Sequence, residues 1–298
     1  MTKLSRSLPP LSLALICLLL GCSPVLAQQN PPCSDCAAWN APQAPFRVYG
    51  NTYYVGPHGL SVILITSNAG HILIDAGLSE SVPQIVANIR TLGFRVEDIK
   101  LIVNSHVHFD HAGGIAELQR LSGARVAASD WSATVLKKGG VAADDPQYGI
   151  IRGIVPVAHV ETLHDLQTFG VGTIELTAHL TPGHTPGGTS WTWKSCEASH
   201  CLDIVYADSL SPASSDAFKF TNGPQLLEGF QRSFAFLRSA PCDILLTTHP
   251  DASRLWDRLD TRVANTTHDS LIDTAACRQL ADRAAAQLTH RLASEKEK

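Results

Sequence analysis

The stretch NSHVHFDHAGG, Asn104 to Gly114, places three histidines and an aspartate within six residues. It follows the apolar run IKLIV and ends in two glycines. On an extended segment side chains alternate, so His106 and His108 point the same way and reach a single ion. At Asp110 the chain turns into the helix begun by GGIAELQ, which aims Asp110 and His111 at a second point nearby. Burying three imidazoles and a carboxylate together without an ion leaves unmet polar groups, at a cost of several kcal/mol. Zn2+ takes neutral imidazole and carboxylate ligands, and a catalytic ion keeps one position for water.

Each ion needs a further ligand. LTPGHTPGG presents His184 in a tight Pro-Gly turn after a strand, and LLTTHP presents His249 at the end of an apolar strand. The expected metal centre is therefore two triads, His106, His108, His184 and Asp110, His111, His249, holding two Zn2+ per chain. Water between two such ions, about 3.5–4 Å apart, loses its proton near neutral pH, so no serine nucleophile is required. No Ser-x-x-Lys or Gly-x-Ser-x-Gly element is found to supply one. Ligands arranged three and three leave open positions, which favours an enzyme over a zinc-binding module with closed sites. Because a ligating imidazole donates its other N–H, Asp75 at the end of HILID and Thr185 beside His184 are expected behind the ligands. The remaining histidines are read as ordinary surface or core residues.

With 298 residues, 44% hydrophobic and 17% charged, the composition is that of a globular protein. The first 27 residues read as a secretory signal: Lys3 and Arg6, the apolar run Leu11 to Leu20, then small residues up to Ala27. LLGC, ending at Cys22, offers the alternative of a lipoprotein signal and a lipid anchor on that cysteine. The expected organisation is a signal over 1–27 and one domain over 28–298, exported to the periplasm, with no transmembrane helix in the mature chain. Removing Lys3 and Arg6 from 23 basic residues leaves 21 against 27 acidic, and no basic stripe interleaved with aromatics exists, which argues against nucleic acid. Six of the eight cysteines lie beyond Ala27, an even number that reads as a disulfide framework in an oxidising compartment. Spacing alone does not choose the pairing, although Cys196 and Cys201 flank EASH and can staple a hairpin loop. Cys33 and Cys36 form a CxxC ahead of the first strand, not at the start of a helix in a βαβ unit, which argues against a redox role.

Along the chain, strand-like runs at 46–56, 60–67 and 71–77 precede an amphipathic helix over Ser79 to Gly93. Strand and helix then alternate through IKLIV, GGIAELQRLSG, ARVAAS and DWSATVLKKGG. Between Val141 and Ala158 periodicity fails, and a long loop of the kind that carries function is expected there. Strands resume at QTFGVGTIELTAHL, TSWTWKS and LDIVYADSL; a helix spans GPQLLEGFQRSFAFLRSA, a strand CDILLTTHP, and the tail from Leu271 to Glu297 is helical. Each half offers strands followed by helices, which implies an α/β protein with two packed sheets and helices outside.

HxHxDH with His184 and His249 resembles the metallo-β-lactamase superfamily over nearly the whole mature chain. YGNTYYVG, ITSNAGHILIDAG, SHVHFDHAGG, LTPGHTPGGTSWTW, VYADSLS and CDILLTTHP are most similar to subclass B3 metallo-β-lactamases. The resemblance implies an αββα sandwich of two mixed sheets and a monomer. It implies hydrolysis of penicillins, cephalosporins and carbapenems by a metal-bound hydroxide that Asp110 also orients. Ser209 and Ser211 then bind the carboxylate of the β-lactam, with Gln147 and Tyr148 lining the pocket. It pairs Cys242 with Cys277 and Cys196 with Cys201, which leaves Cys33 and Cys36 for each other. The rival is a glyoxalase II-like thioester hydrolase of the same fold, in which Asp208 of YADS would bridge the ions.

Overall fold

The computed structural model describes residues 31–264 and 269–297, so the expected export signal, Cys22 included, lies outside the described residues. One helical turn, α1 (Cys36–Trp39), precedes an antiparallel meander of β1 (Phe46–Tyr49), β2 (Thr52–Tyr54), β3 (Ile63–Ser67) and β4 (Gly70–Ile74). The ladder then becomes parallel through β5 (Ile99–Val103), β6 (Arg125–Ser129) and β7 (Val160–Leu163). Parallel neighbours need crossovers, and these are supplied by α2 (Val82–Thr91), by α3 (Phe109–Ala112) with α4 (Ile115–Ser122), and by α5 (Asp130–Lys138) followed by the 141–158 loop. The helix expected from Ser79 begins as a 3-10 turn over Ser79–Ser81, and Pro83 sits in the first turn of α2, where its missing N–H costs nothing.

The second sheet contains β8 (Thr168–Val171), β9 (Ile174–Leu180), β10 (Thr189–Glu197), β11 (His200–Ala207) and β12 (Ile244–Thr247), in the order β12-β11-β10-β9-β8. Only β11 and β12 are parallel, and α6 (Pro224–Ser239) joins them. After β12 come α7 (Leu255–Ala264) and the long α8 (Ala276–Lys296).

The layers follow from side-chain alternation. Ile63, Ile65, Ile72, Ile74, Leu101 and Val103 point between the sheets, against Trp191, Ile204, Tyr206 and Leu246. Their sequence neighbours Leu64, Leu73 and Ile102 face the other way, onto Ile85, Ile89, Ile115, Leu118 and Leu136 of α2, α4 and α5. Strands buried on both faces read as continuous apolar runs, as IKLIV does. On the far side Val205 and Leu245 pack against Phe230, Phe234 and Leu237 of α6 and Leu280, Ala284 and Leu288 of α8. The result is helices, sheet, sheet, helices, the architecture that the sequence implies. Disulfides join Cys33–Cys36, Cys196–Cys201 and Cys242–Cys277, the last tying α8 to the segment entering β12. No helix among the described residues is long and apolar enough to cross a membrane.

Candidate metal centre

The histidines of the opening motif leave β5 along a backbone pinned from three sides. Trp191 Nε1 donates to Asn104 O (3.1 Å), Thr189 N to Ser105 O (2.8 Å), and Ser105 N to Asp75 Oδ1 (2.7 Å). His108 then caps the one-turn helix α3, its carbonyl accepting from the His111 and Ala112 amides, so Asp110 and His111 project from a fixed turn. The two glycines that follow are steric requirements: a Cβ on Gly113 would lie 2.3 Å from Phe109 O, and one on Gly114 2.4 Å from Ala76 O. His184 comes from the turn after β9 and His249 from the residue but one after β12, so both strands end where β5 does.

These residues converge. The ligating atoms of His106, His108 and His184 lie within 4.8 Å of one another, as do those of His106, Asp110 and His111, which makes the two clusters adjacent. Asp110 Oδ2 stands 3.1 Å from His111 Nε2 and 3.3 Å from His249 Nε2. All of them are buried except His249, whose side chain is 33% exposed.

Four of the five imidazoles are held from behind. Asp208 Oδ1 accepts from His106 Nδ1 at 2.7 Å, and Asp145 Oδ2 from His108 Nε2 at 3.0 Å. Backbone carbonyls hold the other two: Ser211 O accepts from His184 Nδ1 at 2.8 Å and Gly59 O from His249 Nδ1 at 3.1 Å. Each acceptor fixes the tautomer and leaves the opposite nitrogen as a lone-pair donor aimed inward. His106 Nε2 is buried with no hydrogen-bond partner, a state that a metal ion satisfies. The donor set therefore fits a metal ion.

Electrostatics point the same way. Burial first, and then the neighbouring imidazoles, hold His106 well below its ordinary range; burial and His108 push His184 down to about 3. Both are neutral donors at neutral pH. Burial alone would raise Asp110, but His111 and His249 outweigh it and keep the carboxyl ionised. Burial likewise opposes the charged form of His111, and Asp110 more than reverses that, so the pair forms where a cation is wanted.

Two residues expected behind the ligands stand elsewhere. Asp75 accepts from Ser105 N and Ser105 Oγ (both 2.7 Å) and from the Tyr206 hydroxyl (2.6 Å), so it braces the backbone before His106 and not an imidazole. Thr185 is buried with its Oγ1 unpartnered, because the His184 ring turns its Nδ1 to Ser211 O instead. Asp208 lies on the Nδ1 side of His106, opposite the nitrogen left for the ion, which is not the bridging position of the thioesterase reading. The sequence reading misses Asp145, whose only signal is its place in the aperiodic 141–158 loop.

That loop also carries Gln147, whose Nε2 stands 3.5 Å from His108 Nδ1 and 3.4 Å from His184 Nε2, and Tyr148, which is half-exposed beside it. Ser209 and Ser211 follow Asp208 and line a cavity of about 270 Å³ with Thr248, His249 and Arg283.

A family model described as the metallo-beta-lactamase superfamily matches residues 55–257. Among solved structures, the Rm3 metallo-beta-lactamase is 52% identical, with a TM-score of 0.86 over 89% of this chain and 100% of that one. MEM-A1, a subclass B3 metallo-beta-lactamase from a soil metagenome library, is 48% identical, with a TM-score of 0.84 over 87% of this chain and 99% of that one. The uncharacterized protein YobT of Bacillus subtilis is 31% identical over 146 residues, 48% of this chain and 61% of that protein. The chain thus spans about three-fifths of the length of the curated relatives it matches.

Proposed function

We infer the activity from one premise: the chain belongs to the metallo-β-lactamase superfamily. Within it the chain is a metal-dependent β-lactam hydrolase of subclass B3. The observation that carries this reading is the pair of adjacent buried clusters, three imidazoles in one and a carboxylate with two imidazoles in the other, joined to likeness with Rm3 and MEM-A1 along almost their whole length.

We propose two Zn2+ per chain, one on His106, His108 and His184 and the other on Asp110, His111 and His249. When bound, such a pair supplies Lewis acidity and lowers the pKa of coordinated water towards 7. The protein's own part is positioning. Asp208, Asp145, Ser211 O and Gly59 O set the imidazole tautomers before any ion arrives. Asp110, kept ionised by its histidine neighbours, accepts a hydrogen bond from the attacking water and orients it. The Ser209 and Ser211 hydroxyls donate to the carboxylate of the substrate, and Gln147 and Tyr148 close the other side of the pocket. Penicillins, cephalosporins and carbapenems are the proposed substrates. Export to the periplasm, where such antibiotics arrive, gives the activity its use in resistance.

The discriminating experiment offers purified protein a carbapenem and a glutathione thioester, with bound metal measured in parallel. Carbapenem turnover without thioesterase activity is expected. Thioester hydrolysis alone would replace this reading with the glyoxalase II-like one.

A further inference from the structure

Against the segment that follows the substrate serines, the end of α8 builds a polar clamp that the metal chemistry does not use. Glu295 is only 8% exposed, and a buried carboxylate is costly unless its oxygens are fully used. Here they are: Oε1 accepts from Phe220 N (3.0 Å) and Arg291 Nε (2.8 Å), and Oε2 from Thr221 N (3.0 Å). Arg291, so oriented, donates through Nη2 to Ser214 Oγ (2.6 Å) and Phe218 O (3.1 Å), with its guanidinium 5.4 Å from the centre of the Phe220 ring. One ion pair thus holds four residues of the 214–221 segment: Ser214 by its side chain, and Phe218, Phe220 and Thr221 by their backbone.

The gripped segment is the continuation of the one that carries Ser209 and Ser211. It also spans the mouth of the site: Ser215 N donates to Pro146 O (2.9 Å), the residue before Gln147. Ser214 and Ser215 are therefore held from opposite sides, by α8 and by the 141–158 loop. By contrast, the Ser209 and Ser211 hydroxyls have little local support of their own: Ser209 Oγ accepts from Ser211 N at 3.4 Å, and Ser211 is held through its carbonyl, which accepts from His184 Nδ1 (2.8 Å).

We propose that Arg291 and Glu295 are positioning residues for Ser209 and Ser211, so that the end of α8 sets the affinity for the carboxylate of the substrate. This rests on the reading of those serines given above. The test uses the zinc-loaded full enzyme and two probes, a cephalosporin with a free carboxylate and its methyl ester. Glu295→Gln keeps the shape but replaces one accepting oxygen by an amide donor, and Arg291→Lys loses the planar fork. Each is expected to raise KM for the acid about tenfold, the worth of one charge-assisted hydrogen bond. The ester's KM, the acid's kcat and the bound metal stay within about twofold. Ser214→Ala, which removes only one contact of Arg291, raises KM less and decides the matter should the other variants fail to fold. An unchanged KM in these variants, while Ser209→Ala/Ser211→Ala raises it, overturns the proposal. So does an equal rise for acid and ester, which would mean general loosening. If the double-serine variant leaves KM unmoved, the carboxylate reading itself fails, a result separable from the first two.

Discussion

The two ends of the site are built differently. At the metal end, every proposed ligand but His249 is buried, and four imidazoles each have a fixed acceptor at 2.7–3.1 Å behind them. At the rim, Tyr148 and Ile150 of the 141–158 loop are about half exposed, and Ser209 and Ser211 barely touch each other. Metal binding demands one geometry, so its ligands are over-determined; substrates of varied shape favour a rim that is held at a few points and otherwise left open. His184 belongs to both regions, as a ligand whose ring is held by the rim carbonyl of Ser211.

The comparison breaks most visibly at that junction. His184→Ala removes a ligand outright, and the loss of activity should exceed the roughly 10–100-fold that removing a supporting partner costs. Bound metal should fall from the two proposed ions towards one by elemental analysis; metal content equal to that of the unaltered protein would mean that His184 is not a ligand. The next effect lies in neither region. Cys242–Cys277 closes a loop of 35 residues, and Cys277→Ser should cost about 2–4 kcal/mol of unfolding free energy by denaturant titration. Metal per folded molecule should not change, and a matching loss of metal would show that the centre depends on α8.

Removing support without removing a ligand sharpens the contrast. Asp208→Ala leaves His106 Nδ1 with only the 3.4 Å contact to Ser105 Oγ, and metal affinity measured by competition with a chelator should weaken by about 10–100-fold. An unchanged affinity would make Asp208 a bystander. An effect of similar size is the acid sensitivity of the metal-free protein. His184 is held neutral down to about 3, whereas the unfolded chain takes up its proton near 6.5. The native state therefore binds fewer protons between those values. Its stability is fully present above about 6.5 and is lost as pH falls below that, by roughly 1.4 kcal/mol per pH unit for this group. His106 is shifted in the same direction. Denaturant midpoints of chelated protein that do not move between about pH 7 and 5 would contradict this.

The fold and the meeting of the motif's side chains were legible because they depend on short-range pattern. Alternation made IKLIV a buried strand, and the spacing in HVHFDH fixed which side chains share a point. The partners were not legible, because they depend on tertiary approach. Asp145 and Asp208 meet their histidines across 37 and 102 residues, with no periodicity to connect them. Adjacency in sequence points to Thr185, yet the neighbour of a residue in a tight turn points elsewhere. Asp75 stands in the expected vicinity but braces Ser105 instead of a ring. The α8 clamp was hidden for another reason: Arg291 and Glu295, four apart in a charged tail, look like an ordinary helix-surface pair until the 214–221 segment covers them.

The central claim is that the buried clusters hold the metal on which β-lactam hydrolysis depends. Strip the purified protein of metal, add zinc back in steps, and follow carbapenem hydrolysis together with bound zinc. Activity should vanish with the metal, return in proportion as the sites fill, and be unaffected by serine-directed inhibitors. Undiminished hydrolysis by protein shown to be metal-free would contradict the account.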